Sequence, residues 1–139
     1  MTVVFADTAY WVAVSNPRDS LHARVREVSQ ALRPMQLVTS EMVLAEFLND
    51  FCQRGEFLRK SAVRLIERSR SDGSAFIVPQ TSDQFWAAAS MYDARPDKGW
   101  SLTDCASFQI MERYDLTEAL THDLHFEQAG FKALLRDGS

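Results

Sequence analysis

The chain has 139 residues, the size of one domain with a substantial core. Hydrophobic residues make up 46% of it and charged residues 24%, and no apolar run approaches the roughly eighteen residues of a membrane-spanning helix. The net charge of −4 excludes a generally basic surface, so any binding of nucleic acid must depend on local patches or metal ions. No basic region precedes an apolar one at the start, which argues against a signal peptide. We therefore predict a single cytoplasmic domain over residues 1–139.

The first half of the chain alternates between short apolar strands and helices. Strands are predicted at residues 2–6 and 35–39, because both are runs of β-branched and apolar side chains. Helices are predicted to start from Thr8, Ser20 and Ser40, since each of these hydroxyl residues is a suitable N-cap. Such alternation is typical of α/β proteins.

The second half continues this alternation. An irregular segment, Arg95 to Gly99, interrupts it shortly before Asp104. The remaining predicted elements are a helix at 56–70, a strand at 75–78, a helix from Thr81 or Ser82, a helix that continues past Asp104, a strand at 118–121 and a last apolar run at 131–135. The whole pattern predicts an α/β sandwich around a mainly parallel sheet.

Four acidic residues occupy positions where an isolated carboxylate is normally avoided. Asp7 and Asp123 each follow a predicted strand, and Asp104 leads into an apolar helix. Glu46 lies in the third helix, where we expect it at the edge of the core rather than in solvent. Because ligands of parallel sheets bind beyond the carboxyl ends of the strands, these acids can meet at one edge of the sheet.

Carboxylates that cluster in this way repel one another and need a partner, a proton or a metal ion. No Lys or Arg adjoins Asp104 or Asp123 in the sequence. Oxygen ligands suit Mg²⁺ and Mn²⁺, and a pair of such ions can stabilise the attacking and leaving oxygens of a phosphodiester. His122 and His125 flank Asp123 without the further ligands that zinc requires. The acids therefore favour a Mg²⁺ or Mn²⁺ site.

Other functions that place acids at the edge of a parallel sheet fit the sequence less well. A phospho-acceptor receiver module needs adjacent acids after its first strand, but Ala6 precedes Asp7. It also needs a Lys after its last strand, and none follows Asp123 before Lys132. An aspartate-nucleophile phosphatase needs a second acid where Ala9 stands. The sequence contains neither a Gly-rich phosphate loop nor a Ser-His-Asp order.

Four segments carry a resemblance to a known family. They are Asp7-Thr8 after the first strand, SEMVLAEF around Glu46, SLTDCASFQIMER around Asp104 and ALTHDLHFEQAGF around Asp123. In this order and at this chain length they resemble the motifs of PIN-domain nucleases, and in particular those of VapC-type toxin endoribonucleases. The resemblance implies a PIN-like three-layer α/β/α sandwich. It also implies a Mg²⁺- or Mn²⁺-dependent cut of single-stranded RNA by activated water.

The resemblance further implies site residues and partners. Family members usually form homodimers, and the toxins are held inactive by a cognate antitoxin. Two alternatives within the fold remain open, an RNA-processing nuclease that is not a toxin and a PIN fold that has lost its activity. The residues that the resemblance assigns are Asp7, Glu46, Asp104 and Asp123 for metal coordination and catalysis, and Thr8 and Thr103 for support of the site.

A basic stripe on the fourth helix is a candidate for contact with RNA. Lys60, Arg64 and Arg68 recur every four residues and could bind RNA phosphates or an antitoxin. Glu56 and Glu67 lie on the same helix and could instead balance these charges on a solvated face.

A second candidate for RNA contact precedes Asp104. Lys98 and Trp100 stand there beside Arg95, and a cation next to an aromatic ring could hold an unstacked base at the mouth of the site. Trp100 could equally close the core, which is the commoner place for a Trp side chain.

Overall fold

The computed structural model describes residues 1–136, so residues 137–139 of the predicted domain lie outside the described part of the chain. Within residues 1–136 the strands are β1 (Thr2–Ala6), β2 (Met35–Ser40), β3 (Ala75–Val78), β4 (Glu118–Leu120) and β5 (Lys132–Ala133). The helices of the same range are α1 (Thr8–Ser15), α2 (His22–Leu32), α3 (Glu41–Phe51), α4 (Glu56–Ser71), α5 (Ser82–Ala94), α6 (Leu102–Arg113) and α7 (Leu124–Gln128). None of the helices in this range is both long and apolar enough to cross a membrane.

The strands of residues 1–136 form one parallel sheet in the order β3-β2-β1-β4-β5. The chain starts in the middle with β1, moves outward through β2 to β3, and then crosses back to place β4 on the other side of β1. The strand order therefore reverses between β1 and β4, which is where ligands bind in sheets of this kind. The predicted parallel sheet is confirmed. The receiver-module alternative is wrong, because flavodoxin-like receivers have the strand order 2-1-3-4-5.

Helices cover both faces of the sheet, because neighbouring residues of a strand point to opposite sides. Phe5 of β1 packs on Phe126 of α7, with ring centroids 6.3 Å apart. Thr39 of β2 points to the opposite face, where its hydroxyl accepts a 3.4 Å hydrogen bond from the indole N–H of Trp11 in α1. Helices α1 to α4 pack together, and so do α5 to α7. The predicted three-layer α/β/α sandwich is thus confirmed.

Two of the predicted helix caps differ from the structure, while a third agrees with it. Thr8 does not cap α1, because Asp7 holds the N-cap position and Thr8 is the first helical residue. Ser20 does not cap α2, which begins at His22. Instead, the N–H of Leu21 donates a 3.0 Å hydrogen bond to the carboxylate of Asp19. Asp19 stands two residues before Leu21, the spacing at which an Asp side chain closes a turn on its own backbone. Ser40 does cap α3, as predicted.

The segment after the fourth strand forms a short helix that the sequence analysis did not predict. Helix α7 is held in place by Phe126, which is fully buried and stacks edge-on against Phe108 of α6 at 5.0 Å. The apolar run predicted at 131–135 forms only the two-residue strand β5. The side chain of Phe126 therefore fixes the position of the residues between β4 and β5.

Candidate metal centre

The predicted acids gather where the order of the strands reverses. Asp7 directly follows β1, and its N–H donates a 3.3 Å hydrogen bond to the carbonyl of Leu120 at the end of β4. Asp123 lies three residues after Leu120, so Asp7 and Asp123 stand at neighbouring strand ends. Asp104 joins them from the start of α6, and Glu46 from α3.

Asp7 is buried and tied to a neighbouring hydroxyl. It is 7% exposed, and the hydroxyl of Thr121 donates a 2.8 Å hydrogen bond to its Oδ2. Burial raises the pKa of Asp7 from 3.8 to about 7, and the hydrogen bonds from Thr121 and from the N–H of Thr8 oppose this rise. The nearby charges of Asp104 and Glu46 raise the pKa further. A cation beside the carboxylate of Asp7 would favour its ionised form, which burial disfavours.

Asp104 is oriented by the start of its helix. Its Oδ2 accepts a 3.0 Å hydrogen bond from the N–H of Ser101, and its own N–H donates to the hydroxyl of Ser101 at 3.0 Å. This reciprocal pair is a capping box, which fixes both side chains at the first turn of α6. Asp104 is 7% exposed and benefits from the positive end of the helix dipole.

Asp123 and His125 complete the central part of the site. The N–H of His125 donates a 2.9 Å hydrogen bond to Oδ1 of Asp123, which thereby caps α7. The ring Nδ1 of His125 lies 2.9 Å from Oδ2 of Asp104 and 3.3 Å from Oδ1 of Asp123. One ligating atom from each of these three residues lies within 4.8 Å of the other two. Among the described residues, Asp7 and Glu46 lie outside this compact group.

Glu46 lies on the rim of the site. We expected it at the edge of the core, but the structure corrects this because its side chain is exposed to solvent. It nevertheless has a fixed partner, since the hydroxyl of Thr8 donates a 2.6 Å hydrogen bond to its Oε1. Thr8 is the first residue of α1 and follows Asp7 directly, so this contact ties Glu46 to the end of β1.

The four carboxylates share one arrangement. One oxygen of each carboxylate accepts a hydrogen bond from a protein donor. No side chain of residues 1–136 donates a hydrogen bond to the other oxygen. The fixed oxygens are Asp7 Oδ2, Glu46 Oε1, Asp104 Oδ2 and Asp123 Oδ1. A donor on one oxygen orients a carboxylate and leaves lone pairs on the other for a cation. No Lys or Arg in the described range forms an ion pair with these acids, so the oxygen-rich site fits a hard divalent cation.

Two residues of this site were not predicted from the sequence. Thr121 was assigned to the end of a strand, and His125 was considered and set aside as a zinc ligand. In the order Thr-His-Asp-Leu-His, a hydroxyl stands two residues before Asp123 and an imidazole two residues after it. That spacing around an acid at a strand end is the feature that could have indicated both.

The support predicted for Thr103 stays a prediction. Thr103 lies inside the first turn of α6, and its hydroxyl makes no hydrogen bond within residues 1–136. Its carbonyl accepts a 2.8 Å hydrogen bond from the hydroxyl of Ser107. The residue that orients Asp104 is Ser101, because Ser101 and not Thr103 occupies the N-cap position.

The basic stripe lies on the surface of α4. Lys60 forms a 2.8 Å ion pair with Glu56, as the solvated-face alternative requires. Arg64 and Arg68 are exposed and form no ion pair with any described residue. Contact of these three side chains with RNA stays a prediction.

The segment before Asp104 places Trp100 in the core. Trp100 is only 8% exposed, packs edge-on against Phe108 at 5.0 Å and donates a 3.0 Å hydrogen bond from its indole N–H to Gln128. The guanidinium of Arg95 lies 4.9 Å from the centre of its ring. Trp100 therefore closes the core, as the alternative expects, and leaves little surface for a base; its contact with RNA stays a prediction. Lys98 is partly exposed beside it, and its contact with RNA stays a prediction.

Comparison with known proteins gives relatives that span nearly the whole chain. The chain is 28% identical over 132 residues to the 23S rRNA-specific endonuclease VapC20 of Mycobacterium tuberculosis, which covers 93% of this chain and 95% of that protein. No family model matches the chain.

Solved structures agree with this match. The crystal structure of Mycobacterium tuberculosis VapC20, a toxin that cleaves the sarcin–ricin loop, superposes with a TM-score of 0.80 at 24% identity, over 92% of this chain and 95% of that one. VapBC2 from Rickettsia felis, bound to a DNA fragment from its promoter, superposes with a TM-score of 0.63 at 11% identity, over 95% and 97% of the two chains. These two structures establish the fold.

The fold is the one that these VapC structures have. Over nearly its whole length the chain is similar to a VapC-type toxin, so the resemblance predicted from its four motifs is confirmed.

Proposed function

We propose that the protein is a Mg²⁺- or Mn²⁺-dependent endoribonuclease that cleaves single-stranded RNA with an activated water, and that it is the toxin of a toxin–antitoxin pair. The observation that carries this proposal is the shared arrangement of the four carboxylates, each with one oxygen fixed by a protein donor. The match to an rRNA-specific endonuclease over 93% of the chain supports it.

The four acids would hold the cation, and the rest of the site would orient them. A bound Mg²⁺ or Mn²⁺ supplies positive charge for the phosphodiester and lowers the pKa of a coordinated water. Thr121, Ser101 and His125 orient the carboxylates of Asp7, Asp104 and Asp123, so little rearrangement is needed on binding. Burial raises the pKa of Asp7 to about 7, so a cation held there would compete with a proton near neutral pH.

The cleavage test uses purified protein and an RNA hairpin that contains the sarcin–ricin loop, the target of the relative VapC20. We expect the wild type to cut this RNA when Mg²⁺ or Mn²⁺ is present, and we expect EDTA to stop the cleavage. Asp104→Asn should lose at least about a hundredfold in rate, because a ligand charge is lost. Asp93→Asn, at an exposed Asp on α5, should cut normally. Full activity of Asp104→Asn, or no cleavage of this or any total cellular RNA by the wild type, would refute the proposal.

The toxin role has its own test. The partners that we propose are RNA, a cognate antitoxin and a second copy of the chain, in the cytoplasm. The match to an endonuclease supports the RNA and the VapBC2 structure supports the antitoxin. Induced expression of the wild type should arrest growth, while Asp104→Asn should not. If both strains grow equally at equal protein levels, the toxin role is wrong and the protein is a nuclease that is not a toxin.

A further inference from the structure

We infer that His125 is a positioning residue that holds Asp104 and Asp123 together in the arrangement a divalent cation needs, before the cation binds. The inference rests on the proposed function, since it concerns the same site. It adds an imidazole to a site that the motifs describe only by its acids and hydroxyls.

The contacts of the His125 ring favour a role as a hydrogen-bond donor. Its Nδ1 lies 2.9 Å from Oδ2 of Asp104 and 3.3 Å from Oδ1 of Asp123. Both neighbours are carboxylate oxygens, which only accept hydrogen bonds when ionised, so the tautomer that satisfies them carries its proton on Nδ1. No other residue within the range 1–136 contacts both carboxylates through one polar atom.

The two carboxylates that the ring joins come from different parts of the fold. Asp104 belongs to the first turn of α6, and Asp123 follows β4. Ligating atoms of the two acids lie within 4.8 Å of each other, a separation at which two carboxylates repel. An N–H shared between them opposes that repulsion while the cation is absent.

The ring also selects which oxygens stay available. The Nδ1 of His125 contacts Oδ2 of Asp104, which already accepts from Ser101, and Oδ1 of Asp123, which already accepts from the N–H of His125 itself. Oδ1 of Asp104 and Oδ2 of Asp123 accept no hydrogen bond from the described residues. The donors are thus concentrated on one oxygen of each acid, and the other oxygen of each can bind a cation.

The ring is only partly enclosed, with 30% of the side chain exposed. A methyl group at Gly99 would lie 3.7 Å from Nε2 of His125, so the backbone before α6 runs close to the Nε2 side of the ring. That segment is tied to α7 by the hydrogen bond from Trp100 to Gln128. The next residue, Phe126, anchors α7 in the core.

The experiment measures Mn²⁺ binding by calorimetry in the absence of RNA, for two matched substitutions of His125. In His125→Asn the amide nitrogen can take the place of Nδ1, whereas in His125→Gln it lies one bond further out, near the place of Nε2. We expect His125→Gln to bind Mn²⁺ about ten- to a hundredfold more weakly, as is usual when the group that orients a ligand is lost. His125→Asn should bind close to wild-type strength. His122→Asn, at an exposed neighbouring His, should match the wild type.

Each other outcome has a defined meaning. If His125→Asn binds as weakly as His125→Gln, the ring nitrogen is itself a ligand and the positioning role is wrong. Unchanged affinity in His125→Gln, or no Mn²⁺ binding by folded wild type, also overturns the inference. If the Asn and Gln variants differ as expected but the wild type cuts no RNA, the positioning role stands and the proposed function fails.

Discussion

The hydroxyl of Thr121 donates a 2.8 Å hydrogen bond to Oδ2 of Asp7, across 114 positions of the sequence. Thr121 is fully buried directly after β4, so this bond joins the two strand ends between which the sheet order reverses. The same hydroxyl oxygen accepts a 3.1 Å hydrogen bond from the N–H of Asp123. One buried hydroxyl therefore fixes two of the four acids.

Replacing Thr121 tests this role. Thr121→Val keeps the shape of the side chain but removes the donor to Asp7, so it should lower the free energy of unfolding at pH 8 by about 1–3 kcal/mol. Thr121→Ser keeps the hydroxyl and should retain more of the stability and of the Mn²⁺ affinity. Urea unfolding in EDTA gives the first quantity and calorimetry the second. Equal values for the two variants would contradict the role of the hydroxyl.

The metal-free protein should lose stability as the pH rises. The pKa of Asp7 is 3.8 when unfolded and about 7 when folded, so between these values the folded state holds a proton that the unfolded state has lost. Raising the pH through this window therefore lowers the free energy of unfolding, by roughly 4 kcal/mol in total. The loss is complete above the folded pKa, and Asp7 contributes no change below pH 3.8.

The substitution Asp7→Asn should remove this dependence of stability on pH, so comparing it with the wild type tests the prediction. We would measure the free energy of unfolding of the wild type and of Asp7→Asn by urea, in EDTA, at a series of pH values from 4 to 8. The two values should diverge, with the variant gaining stability relative to the wild type as the pH rises. A constant difference across that range would show that the carboxyl of Asp7 does not titrate as its burial requires.

Divalent cations should stabilise the folded protein. An ion that binds only the folded state adds RT ln(1 + [L]/Kd), which is about 2.7 kcal/mol at a hundredfold excess over Kd. Millimolar Mn²⁺ should therefore raise the melting temperature by several degrees, and Asp104→Asn should lose most of the shift. The absence of any shift in the wild type at saturating Mn²⁺ would contradict a preformed site.

The basic stripe of α4 predicts an electrostatic contribution to RNA binding. If Arg64 and Arg68 each contact a phosphate, replacing either by Ala should weaken binding and reduce the slope of log K against log salt by about 1. Arg26 is an exposed arginine of α2, so Arg26→Ala is the matched control and should leave the slope unchanged. The slopes are measured by fluorescence anisotropy. If they are the same for all three variants, the stripe is a solvated face that does not contact RNA.

The sequence predicts the sheet and the strand-end acids well, because both follow from local patterns. Asp7 and Asp123 stand at the ends of apolar runs, and strand ends of a parallel sheet share one edge. The capping role of Ser40 is equally local, since it depends on a residue three positions later.

The parts that could not be predicted depend on contacts between distant segments. The bond from Thr121 to Asp7 and the contact from His125 to Asp104 require knowledge of which strand end and which helix start face each other. The burial of Trp100 likewise follows from its packing on Phe108 and not from its neighbours in sequence.

The central claim is that the four acids form a cation site, and locating Mn²⁺ in crystals by anomalous scattering tests it most directly. We expect a peak in contact with carboxylate oxygens of Asp104 and Asp123, with Asp7 and Glu46 in contact directly or through a water. A peak elsewhere on the protein, or none at saturating Mn²⁺, would contradict the account.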